Sequence, residues 1–429
     1  MEMVHTQSAL FKETMATTPT MTTNRRLSLL FQLCCVLTVA TFGTVSAFAP
    51  TVSYRTRQSH PSFVVPTDSL SSSSSSVGVA LSAEPSQSSL DGVVCVVTGA
   101  SRGIGKGIAL ALGKQGATVY VTGTSTSSAS TTTATATQEP YSTNADVGGP
   151  GTVQDTANEV TAAGGKGVAV VCNHANDDDV KALFDRIEQD EGRLDMLINN
   201  VFRVPKGGAD SLFGTFWEQG PDVWDSLHTV GLRSHYVATC FAMPLLLKSK
   251  ATTKLPRPFI GMISSFGGLT YTFNVAYGVG KAGVDRLAKD MSVELNKQDI
   301  CVTSFWPGVV LTERTSVMVE TGEWDEKVGI PLENAETPEF TGRAVVAVAT
   351  DADNMAKTGS YQVVAELAQE YGFTDTNGKV PPSIRSLKFL IPGYALSKED
   401  RNKVPGWLIP DWKLPFSVMA MGQPEKNEE

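Results

Sequence analysis

At 429 residues the chain is too long for one average domain, but a single α/β domain of roughly 250 to 320 residues with unstructured ends accounts for it. A hydrophobic share of 41% supplies enough apolar surface for a soluble core, and a formal charge of −9 with no offsetting basic, aromatic-rich patch argues against a nucleic-acid partner. The cysteines and histidines lack zinc-type spacing, so no metal site is expected; Cys95, Cys172, Cys240 and Cys301 each sit singly in apolar runs and read as buried thiols.

Residues 1–47, with Met21 as a second candidate start, read as a secretory signal: Arg25-Arg26 precede an apolar run that ends in Val45-Ser46-Ala47, a small-residue cleavage pattern. An uncleaved anchor of minimum spanning length is the competing reading. Residues 48–89 hold Arg55 and Arg57 among Ser and Thr, then the Ser71–Ser76 run, which cannot bury enough apolar area to offset ordering entropy. The Ser46-Ala47-Phe48-Ala49-Pro50 junction resembles bipartite presequences of algae with secondary plastids. That resemblance implies import into a plastid through the secretory pathway and a mature protein without a membrane span; the endoplasmic reticulum is the alternative address.

The catalytic domain is expected over residues 90–380. Val93–Val97 is a β-branched, buried strand that runs into Thr98-Gly99-Ala100-Ser101-Arg102-Gly103-Ile104-Gly105 and then an apolar-faced helix. A glycine turn between a strand and a helix lets backbone approach a pyrophosphate and aims helix amides at its charge. Gly99, Ser101, Arg102, Gly103, Ile104 and Gly105 are therefore candidate cofactor-binding residues. Further strands are expected at Thr118–Thr122, Val168–Cys172, Met196–Ile198, Phe259–Ile263, Val302–Phe305 and Tyr361–Val364, with helical patterns between them. That alternation predicts a Rossmann-type doubly wound parallel sheet of about seven strands with helices on both faces. A Ser/Thr/Ala-rich stretch over residues 125–151 reads as a flexible insertion. Asp177-Asp178-Asp179 reads as a helix start, where acids complement the dipole.

Tyr277-Gly278-Val279-Gly280-Lys281 opens a helix whose apolar positions follow helical spacing, which sets Tyr277 and Lys281 on one face. A free phenol titrates near pH 10. An ammonium about 4 Å away at an effective dielectric near 20 would lower it by on the order of three units, enough to make Tyr277 an acid–base group near neutrality.

These elements occur in the order of the short-chain dehydrogenase/reductase family, which the chain resembles at Thr98–Gly105, Asn199-Asn200, Ser265, Tyr277, Lys281 and Pro307-Gly308. Segments such as Phe216-Trp217-Glu218 and Ser304–Gly308 mark one branch of that family, and the similarity spans about 91–412. The resemblance implies a single Rossmann-type domain and an NADP(H)-linked carbonyl reductase acting on hydrophobic carbonyls or alcohols. It also implies Ser265, Tyr277 and Lys281 as catalytic residues and Asn173, Asn200, Pro307, Gly308, Val310 and Thr312, with Tyr277 and Lys281, as cofactor contacts. Self-association to a homodimer or homotetramer is a further expectation.

Three departures stand out. The family's catalytic asparagine is replaced by Gly231, Asn-Asn-Ala-Gly becomes Asn199-Asn200-Val201-Phe202, and the usual aspartate after the third strand is Asn173. Spacing to the tyrosine would select Ser264 as the catalytic serine, whereas the local pattern selects Ser265; side chains alternate at a strand end while loop length varies, which favours Ser265. NADPH is expected over NADH, because Arg102 lies in the glycine turn and the second strand ends Thr122-Gly123-Thr124 without a ribose-binding acid. A nucleotide-binding sensor or scaffold without turnover, and an epimerase or dehydratase with tightly held cofactor, are the competing functions; retention of Ser265, Tyr277 and Lys281 argues against the first. Residues 381–429 form a C-terminal extension whose apolar pieces are short and proline-broken, expected beside the substrate cleft or at a subunit contact.

Overall fold

The computed structural model describes residues 90–126, 151–205, 212–249, 254–396, 398–401 and 403–421. The leader readings and most of the 125–151 insertion lie outside these residues.

Seven strands form one parallel sheet: β1 (Val94–Val97), β2 (Thr118–Gly123), β3 (Lys166–Val171), β4 (Met196–Asn199), β5 (Phe259–Ile263), β6 (Cys301–Trp306) and β7 (Tyr361–Val363). Their order, β3-β2-β1-β4-β5-β6-β7, reverses direction between β1 and β4. The doubly wound fold expected from the strand pattern is therefore present. Sequence boundaries agree with it to within two residues; Val364, read as the end of the last strand, begins a helix instead.

The β-rich runs lack polar alternation because both faces of the sheet are covered. Cys95 and Val97 point to one side and Val94 and Val96 to the other. On the first side lie α1 (Gly103–Lys114), α2 (Val153–Ala162), α8 (Pro338–Thr350) and α9 (Val364–Tyr371), which supply Ile108, Leu112, Val160, Phe340 and Val345. On the second lie α3 (Asp177–Glu191), α5 (Ser234–Leu246) and α6 (Val275–Leu295), which supply Leu183, Ile187, Leu245, Val284 and Ala288. Helix α4 (Pro221–His228) precedes a π-helical turn over Thr229–Arg233 that leads into α5, and α7 (Glu313–Glu320) follows β6. The three aspartates do occupy the first turn of α3, capped by Asn176. Cys240 corrects the cysteine reading: it is exposed, because it lies one helical turn beyond Tyr236 on the outer face of α5.

The C-terminal extension packs onto the β7 edge of the sheet. Trp306 stacks on Tyr361 at 4.1 Å, and Phe416 meets both rings edge-on. Ile384 and Phe389 are buried in this cluster, which also takes in Phe266 and Leu269 just after Ser265. Arg385 ties the extension down by a two-pronged pair with Glu366 at 2.9 and 2.6 Å, and its guanidinium lies 4.0 Å over the Phe416 ring. Among the described residues no helix is long and apolar enough to cross a membrane.

Burying Ile384 and Phe389 contributes about 2 to 3 kcal/mol each. A chain ending at Asn377 is expected to unfold roughly 10 °C lower in a thermal melt followed by circular dichroism. An unchanged Tm would show that the extension rests on the domain without stabilising it.

Candidate active site

In a sheet of this topology the crevice for a ligand opens at the carboxyl ends of the strands, where the order reverses. The glycine turn after β1 and the Asn199-Asn200 end of β4 meet there. Thr98 Oγ1 accepts the Asn200 and Val201 amides at 2.9 and 3.0 Å, and Asn200 Nδ2 donates to the Thr98 and Gly99 carbonyls at 2.8 and 3.0 Å. Asn200, expected at the cofactor, braces the turn through its side-chain amide, and Thr98, whose hydroxyl receives the Asn200 and Val201 backbone amides, was missed. The packing leaves no room for larger residues: a Cβ on Gly105 would lie 2.4 Å from Asn200 Nδ2, and Gly99 has a φ of +64° and a Cβ there would lie 2.7 Å from Val201 Cα.

The opening of α1 accepts an anion in this structure. Gly103 N–H donates to Glu313 Oε2 at 2.8 Å, across 210 positions of sequence. Ser101 and Ile104 lie on the same turn. Arg102 reaches Ser125 Oγ at 2.8 Å, just past the end of β2, and the Gly151 carbonyl at 2.9 Å. Asn173 follows β3, with its carbonyl oxygen accepting from Ala175 N–H and Arg203. Pro307, Gly308 and Val310 follow β6, and Val310 pairs with Glu336 in an isolated bridge. Thr312, expected at the cofactor, spends its hydroxyl and amide on a capping box with Thr315 that starts α7. The residues thus fit a dinucleotide: a glycine turn, an anion-accepting helix start and an arginine beside β2 line one crevice.

Across it, α6 carries the candidate chemistry. Asn274 caps this helix by accepting the Tyr277 amide at 2.8 Å and donates to the Leu212 carbonyl at 3.1 Å, which fixes Tyr277 in the first turn. Ser265 faces the Tyr277 phenol closely enough to oppose the rise of its pKa, and its hydroxyl accepts Gly267 N–H at 3.1 Å. Ser264 turns the other way: its hydroxyl donates to the Lys281 carbonyl at 3.1 Å, on the side where it also helps hold the Asp285 pKa down. The structure therefore brings Ser265, Tyr277 and Lys281 together and leaves Ser264 behind them.

Lys281 is buried and donates to the Ile263 carbonyl at 3.2 Å; its Nζ lies 5.0 Å from the Phe202 ring centre and 5.9 Å from that of Tyr277. Burial pulls the ammonium down to about 8 while the Asp285 charge pulls it up. The Tyr277 phenol is raised, first by burial, with Ser265 opposing and Asp285 adding to the rise. The expected lowering by Lys281 is absent, since desolvation outweighs an ammonium that points at a carbonyl and a phenylalanine ring. Asp285 was also missed. It accepts from Ser304 Oγ at 2.6 Å and Trp306 Nε1 at 3.0 Å, and it continues the spacing 277, 281, 285 that could have revealed it.

The wall beside the phenol is aromatic. Phe273, at a φ of +61°, meets Tyr277 edge-on at 4.9 Å and Phe202 does so at 6.0 Å. Phe202 covers Gly231 inside the π-helical turn, and a Cβ there would lie 3.0 Å from its ring. The position where the family carries asparagine is thus roofed by an apolar ring.

The fold and this site define the class. A family model described as "Enoyl-(Acyl carrier protein) reductase" matches residues 99–175 and 154–365. The chain belongs to the short-chain dehydrogenase/reductase family of oxidoreductases, which works with a nicotinamide cofactor. It is 36% identical over 335 residues to dehydrogenase/reductase SDR family member 1 of Mus musculus, covering 75% of this chain and 96% of that protein. Among solved structures, a putative dehydrogenase from Xanthomonas campestris aligns with a TM-score of 0.53 at 24% identity over 68% of this chain and 94% of its own. The 3-oxoacyl-[acyl-carrier protein] reductase from Brucella melitensis in complex with NAD aligns at 0.51 and 23% over 63% and 95%.

Asp285→Asn removes the charge that supports the Lys281 ammonium, so the lysine should deprotonate at a lower pH than its present value of about 8. Competitive acylation of Lys281 across pH, read by peptide mass spectrometry, measures this directly. A midpoint that stays in place or rises would mean that Asp285 acts only as a hydrogen-bond acceptor for Ser304 and Trp306.

Proposed function

We propose that the protein is an NADP(H)-dependent reductase of hydrophobic ketones, aldehydes or quinones. The observation that carries this reading is the Ser265–Tyr277 contact beneath the aromatic wall of Phe202 and Phe273, with Lys281 on the same helix face. A raised phenol is protonated at neutral pH and suited to give its proton to a carbonyl oxygen, which favours the reductive direction. Ser265 is placed to donate a hydrogen bond to the same oxygen. Lys281, one turn along the same helix face, stabilises the phenolate left behind, with Asp285 keeping it charged. When bound, the nicotinamide supplies the hydride taken by the carbonyl carbon. The glycine turn, Asn173 and the backbone from Pro307 to Thr312 are the groups that would hold the dinucleotide. Arg102, beside a β2 end that carries no acid, supports NADPH over NADH.

Ser265→Ala should lower kcat in ketone reduction by about 10²-fold, as loss of an oxyanion-type hydrogen bond does, with NADPH affinity nearly unchanged. Ser264→Ala should be mild, and the reverse ranking would sink the assignment. Since the lysine is an ammonium below about pH 8 and neutral above it, kcat/KM should fall as pH rises through that value. Equal kcat/KM with NADPH and NADH would reject the cofactor preference.

We further propose that residues 1–89 direct the protein to a plastid through the secretory pathway. A fluorescent protein fused after residue 90 should reach the plastid; its retention at the endoplasmic reticulum would favour an uncleaved anchor.

A further inference from the structure

We infer that Glu336, buried behind the Pro307–Gly308 turn, is a positioning residue for the nicotinamide end of the crevice and serves there as a neutral carboxylic acid. This rests on the cofactor reading above. The backbone of Glu336 orders the segment that follows β6: its N–H donates to the Val309 carbonyl at 2.7 Å and its carbonyl accepts Leu311 N–H at 2.8 Å, bracketing Val310 in a parallel bridge. A residue bracketed in this way turns its own N–H and C=O to the opposite side. There the Val310 carbonyl accepts the Thr315 hydroxyl at 2.8 Å, while Val310 N–H has no partner among the described residues. It is the donor that this segment can offer a carboxamide.

The Glu336 side chain lies against the same segment. A Cβ on Gly308 would stand 2.7 Å from Glu336 Oε1, so the carboxyl fills the space that any residue but glycine would need. Oε2 is buried and has no hydrogen-bond partner among the described residues. A bare carboxylate oxygen there would bear the cost of dehydration uncompensated, whereas a proton on it removes the charge. The charge that acts on the group is that of Asp375, a second buried acid. Asp375 accepts Thr337 N–H at 2.8 Å, Thr376 N–H at 2.6 Å and the Thr337 hydroxyl, which pins the residue next to Glu336. On α8, Glu339 pairs with Lys114 of α1 at 2.7 Å and with Arg343 at 3.2 Å, so those charges engage one another. Burial pushes the Glu336 carboxyl up to about 8, with the Gly308 amide opposing and Asp375 adding to the rise. Below that pH the group is a neutral acid; above it a negative charge appears behind the turn and disturbs the backbone that Glu336 brackets.

The test is the Kd of the full chain, by titration calorimetry, for NADPH and for 2′-phospho-ADP-ribose, the same dinucleotide without its nicotinamide ring. Glu336→Gln keeps the shape and the neutrality of the acid, so at about pH 7 it should bind both ligands like the wild type. Between about pH 7 and about pH 9 the ratio of wild-type to Glu336→Gln Kd for NADPH should rise by about 10-fold, the scale of one lost hydrogen bond. Lys281 titrates in the same range but is common to both proteins and cancels in the ratio. Glu336→Ala should weaken NADPH by about 10-fold at about pH 7 and leave the ringless fragment unchanged, with a thermal melt to check folding. A Glu336→Gln protein that binds NADPH as poorly as Glu336→Ala, or a ratio that does not move with pH, overturns the neutral-acid role. Equal losses for both ligands overturn the positioning role, since a merely structural residue would move both. If Glu336→Ala does not fold, the pH dependence of the Glu336→Gln ratio decides. If the wild type binds neither NADPH nor NADH, the cofactor reading has failed and this inference with it; binding by the wild type with no response in the variants removes this inference alone.

Discussion

Everything proposed for this site depends on the register of one helix. Tyr277, Lys281 and Asp285 stand four residues apart on α6, so one face presents a phenol, an ammonium and a carboxylate in a column running from the crevice into the core. The Asn274 cap fixes where that helix begins, and thereby which residue reaches Ser265. A shift of one residue would turn the phenol, the ammonium and the carboxylate together away from the crevice and from Ser265. The hydrogen bonds that Ser304 and Trp306 give to Asp285 tie the foot of the column to β6. Helix register and sheet geometry therefore hold each other in place.

Burial then decides the electrostatics. Lysine and phenol both move toward their neutral forms, because desolvation acts on each more strongly than any neighbouring charge. The aromatic rings that exclude water there also form the wall a hydrophobic substrate would meet. Phe202 belongs to both roles, roofing Gly231 and flanking Tyr277.

Much of the architecture was legible in the sequence because local chemistry determined it. Val93–Val97 and Phe259–Ile263 read as buried strands from β-branching and length, and the glycine turn and the 277–281 spacing located both sides of the crevice. What was not legible depends on partners distant in sequence. Nothing near Asn200 announces that its amide closes on Thr98 and Gly99, and the pairing of Phe202 with Gly231 joins two loops that only the fold brings together. Cys240 misled because an apolar run on an outer helix face resembles one on an inner face when the helix phase is unknown. The direction of the Tyr277 shift is not legible in the sequence either, since the spacing to Lys281 shows a neighbouring charge while the dehydration that outweighs it depends on the packed fold. Asp285 is the different case: its position four beyond Lys281 was in plain view.

Arg102 has a consequence outside catalysis. One of its guanidinium nitrogens bonds both Ser125 and Gly151, so the backbone after β2 and the backbone before α2 are held at nearly a single point. For a loop whose two ends are held together in this way, the entropy of closure rises by only about 0.6 kcal/mol for each doubling of length. The place is accordingly a natural graft point. A change of length between Ser125 and Gly151 carries a small closure cost, and a reporter peptide inserted there would be joined to the domain next to an arginine that the nucleotide itself is proposed to engage.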